Sequence, residues 1–145
     1  MRTALDSSVV SALLSAEPTA SFIEPHLAHA RDRGGLVVCG PVYVELAAHP
    51  KIRTGWLDNF LLETEIAVDF VFDEPIWRQS AIGFATYAAR RRQSRGDAPK
   101  RLLADFVIAA HALLRADQLM TLDSRRYARD FPSLRIVPLP GLRNQ

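Results

Sequence analysis

Short apolar segments alternate with stretches of helical periodicity along this 145-residue chain, and that alternation narrows the choice of folds most. TALD (3–6), LVVC (36–39), EIAVDFVF (65–72), LMTLD (119–123) and RIVPL (135–139) are brief and rich in apolar residues. Strands buried on both faces read this way. Between them, SSVVSALLSA carries apolar residues at helical spacing and is broken by Pro18. A second helix is expected from about Thr19 to Arg33, closing at Gly34 and Gly35. PVYVELAAH forms a short helix stopped by Pro50, and another is expected around Gly55–Thr64. Asp73 and Pro75 open a helix that runs to the arginines near 90–92, and a turn at Gly96–Pro99 precedes the apolar helix containing ADFVIAAHALL. Strand and helix in alternation predict an α/β fold. We expect one domain over residues 1–145, with a mostly parallel central sheet of about five strands flanked by helices.

The acids do not fit a purely structural reading. Asp105 lies inside an apolar run, where an unpaired carboxylate costs several kcal/mol or more. Glu45 is a second acid within an apolar helix, VYVELAA. Asp6 and Asp123 each end an apolar strand segment with a Leu-Asp-Ser phrase. In open parallel sheets the functional crevice lies outside the carboxyl ends of the strands, where strand order reverses. Asp6, Glu45, Asp105 and Asp123 can all reach that edge. Four carboxylates together raise one another's pKa unless a cation joins them. Magnesium or manganese suits an all-oxygen donor set, and no Cys or His cluster has zinc spacing. Ions held this way activate water against a phosphodiester.

The uneven charge suits a polyanionic partner and, equally, a solvated helix end. Residues 1–77 hold 11 acids against 5 bases, net −6, while residues 78–145 hold 5 acids against 13 bases, net +8. Arg90, Arg91, Arg92, Arg95, Lys100 and Arg101 lie in the densest basic stretch and are candidates for holding a nucleic-acid backbone. A single cysteine, Cys39, excludes an internal disulfide and favours a reducing, cytoplasmic setting. No apolar run reaches membrane-spanning length, and Asp6 interrupts what would otherwise imitate a signal peptide.

Each residue also has an ordinary reading. Asp6 or Asp123 can cap a helix, Glu45 can reach solvent, and Asp105 can pair with Arg101 one turn earlier. Asp97 suits a turn or helix start, and Asp73 a cap. His111 suits a packed core or groove position, while His26 and His29 suit the surface. Trp56, Trp77 and Phe84 fit core or partner contacts. Arg125, Arg126 and Tyr127 follow Asp123 and lie within reach of a substrate.

The phrases TALDSSVVSALL, VYVELAA, APKRLLADFVIAAHALL and LMTLDSRRYARDFPSLRIV span nearly the whole chain. In that order they resemble the PIN-domain ribonucleases, and closely the VapC toxins of type II toxin–antitoxin systems. The resemblance implies a compact parallel-sheet fold and a magnesium- or manganese-dependent endoribonuclease. It also implies inhibition by a small antitoxin in the active-site groove, operator DNA contact through that antitoxin, and a possible homodimer. The family's acidic set falls on Asp6, Glu45, Asp105 and Asp123, and its supporting polar positions on Ser7 and Thr121.

Two rivals come from other classes. A catalytically silent module of the same fold would act only by binding an antitoxin. A receiver-like phosphoacceptor domain needs a lysine ending a late strand, but the lysines here are Lys51 and Lys100, and neither does so.

Overall fold

The computed structural model describes residues 1–53, 55–95 and 100–139. The expected turn at Gly96–Pro99, with Asp97, lies outside the described residues. The elements run β1 (Thr3–Leu5), α1 (Ser7–Leu14), α2 (Pro18–Gly34), β2 (Leu36–Cys39) and α3 (Gly40–Ala47). They continue with α4 (Trp56–Glu63), β3 (Ile66–Asp69), α5 (Glu74–Gln93), α6 (Leu103–Arg115), β4 (Gln118–Met120) and α7 (Ser124–Ala128).

The strands form one parallel sheet in the order β3-β2-β1-β4. Thr3 and Ala4 register with Leu36 and Val37 on one side and with Gln118 and Leu119 on the other. The chain leaves β1, builds outward through β2 and β3, then returns to place β4 on β1's opposite flank. Strand order therefore reverses between β1 and β4. Both β1 and β2 are buried throughout, as their uninterrupted apolar character requires.

Four described strands stand where about five were expected. RIVPL contributes one parallel bridge, Leu119 to Ile136, through Leu119 N to Arg135 O and Val137 N to Leu119 O, both 2.9 Å. Pro138, with no N–H and a fixed φ, follows at once and stops the ladder from extending. The third strand also ends early. The Asp69 carboxylate accepts the Val71 amide at 3.0 Å and turns the chain out of the sheet, leaving Phe70 and Val71 exposed.

Helix α6 is buried from Asp105 to Ala112, which accounts for its apolar composition. It packs chiefly on α5. Phe106 meets Phe84, Tyr87 and Phe131 with ring centroids 5.1, 5.2 and 6.2 Å away. Gly83 on α5 is required at this contact. A Cβ there would stand 2.5 Å from the Phe131 ring. No helix among the described residues is long and apolar enough to cross a membrane.

Candidate active site

Asp6 follows β1 directly and is 2% exposed. Its amide donates to Met120 O at 3.0 Å, extending the β1–β4 pairing to the sheet edge. Three hydroxyls hold its carboxylate: Thr121 at 2.8 Å, Ser8 at 3.2 Å and Ser7 at 3.4 Å. Asp6 occupies the N-cap position of α1, yet its side chain makes no cap hydrogen bond. The carboxylate instead faces the end of β4.

Thr121 links the two strand ends. Its hydroxyl donates to Asp6 and accepts the Asp123 amide at 3.1 Å. Ser8 adds a second link by accepting the Leu122 amide at 3.2 Å. Helix α7 follows Asp123, which caps it by accepting the Arg126 amide at 3.3 Å. The capping reading of Asp123 is met, and its other oxygen lies 3.3 Å from Arg126 Nε.

Asp105 sits in the first turn of α6, and one oxygen accepts the Leu102 amide at 3.4 Å. Its ion pair is with Arg126, at 3.4 Å, and not with Arg101. Burial pushes the Asp105 pKa up, Arg126 opposes this, and Asp6 adds to it. Glu45 on α3 shows the same effect. Loss of water raises its pKa, and then the charges of Asp6 and Asp105, although much of the residue stays exposed. Ser7 supplies a hydrogen bond that favours the charged form. Cys39 is pushed up to about 11, by burial first, with Glu45 and Asp6 adding to the effect. Asp6, Glu45 and Asp105 therefore share one electrostatic neighbourhood at the carboxyl edge. Asp123 joins it through Arg126.

Arg126 is the functional candidate that the sequence did not single out, because it stood only as a weak substrate contact. A signal existed in its i,i+3 spacing from Asp123. Nothing in the sequence distinguished it from Arg125, and α7 decides the matter. The acids hold the Arg126 pKa above its ordinary value, against its burial. Tyr127 is buried beside this cluster. Burial, then Asp6 and Asp105, push its pKa up, and its hydroxyl faces Asp6 short of full hydrogen-bond geometry.

The donor set is all oxygen, as a hard divalent cation needs. Among the described residues, no three Asp, Glu, His or Cys side chains are gathered tightly enough to hold an ion as they stand. Arg126 bridges Asp105 and Asp123 instead. Even so, one guanidinium leaves the ionisation of Glu45 and Asp105 opposed. These residues fit a further cation among the carboxylates.

The other candidates divide. The Arg90 guanidinium binds Asp130 at 2.6 Å, with the Asp130 side chain 3% exposed, so it is part of the scaffold. Arg91, Arg92 and Arg95 line an open recess beside Tyr87. Arg101 belongs to another recess, described below, and Lys100 is exposed. His111 is a core residue on α6, 3.0 Å from Asp69. His26 packs on Phe22, and His29 accepts from Arg33 on the helix surface.

Comparison with known proteins agrees with this architecture. The family model for the PIN domain matches residues 3–132. The fold is similar to VapBC2 from Rickettsia felis bound to a DNA fragment from their promoter, at 17% identity and a TM-score of 0.65, covering 94% of this chain and 98% of that one. It is also similar to VapBC-1 from nontypeable Haemophilus influenzae, at 20% identity and a TM-score of 0.65, covering 96% and 98%. No curated protein matches the chain in sequence.

Proposed function

The chain belongs to the PIN domain family, and from that premise we propose that it is a divalent-metal-dependent endoribonuclease, the toxin of a toxin–antitoxin pair. The observation that carries the reading is the gathering of carboxylates at the switch point between β1 and β4, where the Asp6 charge opposes ionisation of Glu45 and Asp105. Asp6, Glu45, Asp105 and Asp123 would hold magnesium or manganese. The ion supplies charge neutralisation and a more acidic water for attack on a phosphodiester. Thr121, Ser7 and Ser8 fix the Asp6 carboxylate, and Ser7 steadies Glu45. Arg126 pairs with Asp105 and Asp123 and presents a guanidinium to an incoming phosphate. A small antitoxin is the partner in this reading, with operator DNA reached through it. Both solved relatives are VapBC assemblies, and one holds promoter DNA.

The test is cleavage of a mixed RNA pool with manganese, magnesium or EDTA, beside Asp6→Asn and Asp105→Asn. Metal-dependent cutting that both substitutions abolish supports the reading. A folded wild type that cuts no better than the variants across broad RNA pools removes it. The second reading, a catalytically silent module acting through an antitoxin, is favoured by the Arg126 bridge, which already occupies two of the four carboxylates. It predicts antitoxin binding with no cutting under any metal.

A further inference from the structure

Behind the acid cluster lies a recess that its chemistry leaves unexplained. Arg90, Arg101, Arg125, Arg126 and Arg129 line a cavity of about 220 Å³ together with Asp130, and Tyr87 forms part of its wall. Asp130 is the only acid in that lining among the described residues. It is already bound to Arg90. Arg126 is committed to Asp105 and Asp123. Arg101, Arg125 and Arg129 form no ion pair with a described residue.

The wall is built and the arms are not committed. The Tyr87 hydroxyl accepts the Arg101 amide at 2.7 Å, which fixes the backbone where Arg101 enters. The Arg90 guanidinium lies 5.9 Å from the Tyr87 ring centroid while Asp130 holds its edge. Arg125 and Arg129 rise from α7 and the residue after it, and both are exposed. Like charges gathered around one concavity repel, and an anion relieves that cost. A liquid water takes about 30 Å³, so the recess has room for a phosphate group with its waters. Arginine suits this, because its planar fork binds phosphate oxygens in pairs.

We propose that this recess is a subsite for one non-scissile phosphate of a bound RNA strand, contacted by Arg101, Arg125 and Arg129. Arg126 joins the subsite to the acids, so a strand seated here runs directly past Asp105 and Asp123. The inference rests on the ribonuclease reading for the identity of the strand. It also separates the basic residues by role. Arg90 frames the wall, Arg101 makes contact, and Arg91, Arg92 and Arg95 line a neighbouring recess that shares Tyr87 with this one.

Fluorescence anisotropy with a short labelled single-stranded RNA of mixed sequence, in EDTA, measures binding without cutting. The variant Arg101→Gln/Arg125→Gln/Arg129→Gln should bind about tenfold more weakly or worse. Its log–log salt slope should be shallower by about 0.7, the value for one phosphate contact on a single strand. Arg91→Gln/Arg92→Gln/Arg95→Gln, in the other recess, should leave the phosphate described next intact. Replacing the RNA phosphates one at a time by neutral methylphosphonate should expose a single position whose loss weakens wild-type binding. The same replacement should add little in the first variant. Because that scan uses the wild type, it decides the matter even if the triple variant folds poorly. Unchanged affinity and slope in a folded triple variant overturn the subsite, as does a wild type that shows no such phosphate or does not bind. Arginine-dependent binding without cutting under manganese keeps the subsite and removes the nuclease. Cutting with arginine-independent binding does the reverse.

Discussion

Thr121 donates its hydroxyl to Asp6 at 2.8 Å in full burial, across 115 residues of sequence. Removing that donor leaves a buried carboxylate short of a partner, at a cost of about 1–3 kcal/mol. Thr121→Val should lose that stability in urea unfolding, and Thr121→Ser should retain most of it. Equal losses in both would show that the methyl contact matters and the hydrogen bond does not.

Arg126 neutralises Asp105 and Asp123 but is over a third exposed. Water screens such a pair, so Arg126→Gln should cost the metal-free protein only on the order of 1 kcal/mol. The same change frees two carboxylates. Manganese should then raise the melting temperature more in the variant than in the wild type, since a ligand that binds only the folded state stabilises it. A smaller rise in scanning calorimetry would mean that Arg126 assists the ion and does not compete with it.

The Asp69–His111 pair sets an acid limit. Burial holds the His111 pKa below its ordinary 6.5, so the unfolded chain takes up a proton that the folded protein resists. Burial pushes Asp69 up, but the hydrogen bonds from His111 and the Val71 amide bring it below its ordinary 3.8. Both shifts act in one direction. Stability should fall as pH drops below about 6.5 and fall again below about 3.8. His111→Gln should flatten the first of these losses. An unchanged slope there in pH-dependent urea titrations would assign it to another group.

Gly83→Ala would place a methyl carbon 2.5 Å from the Phe131 ring. The ring must move within the cluster it shares with Phe106, so a loss of about 1–3 kcal/mol is expected. Phe131→Leu in the same chain should recover part of it. Thermal unfolding of the two variants and their combination checks this, and simple additivity would show that the glycine serves some other purpose.

The strands and the acid edge were legible because their signals are local. Asp6 ends an apolar segment, and Asp105 and Glu45 interrupt apolar helices, so each announced itself against its background. The residues misjudged depend on distant partners. Arg90 looked like a free basic side chain until Asp130, forty positions away, took it into the scaffold. Asp105 had an obvious partner in Arg101 at helical spacing, but α7 delivers Arg126 instead. That five-residue helix is too short for periodicity to reveal. RIVPL has a strand's composition, and only its seating beside β4 shows that a single bridge forms before Pro138.

The order of the strands has a consequence for how the protein is made. Asp6 is synthesised well before Thr121 and Asp123, which follow β4. Until then β1 has one neighbour, the Asp6 carboxylate lacks Thr121, and Arg126 does not yet exist. Pairing of this kind joins positions 115 residues apart and forms late, after the loop between them has closed. A chain cut before β4 thus carries Asp6, Glu45 and Asp105 without the assembled edge.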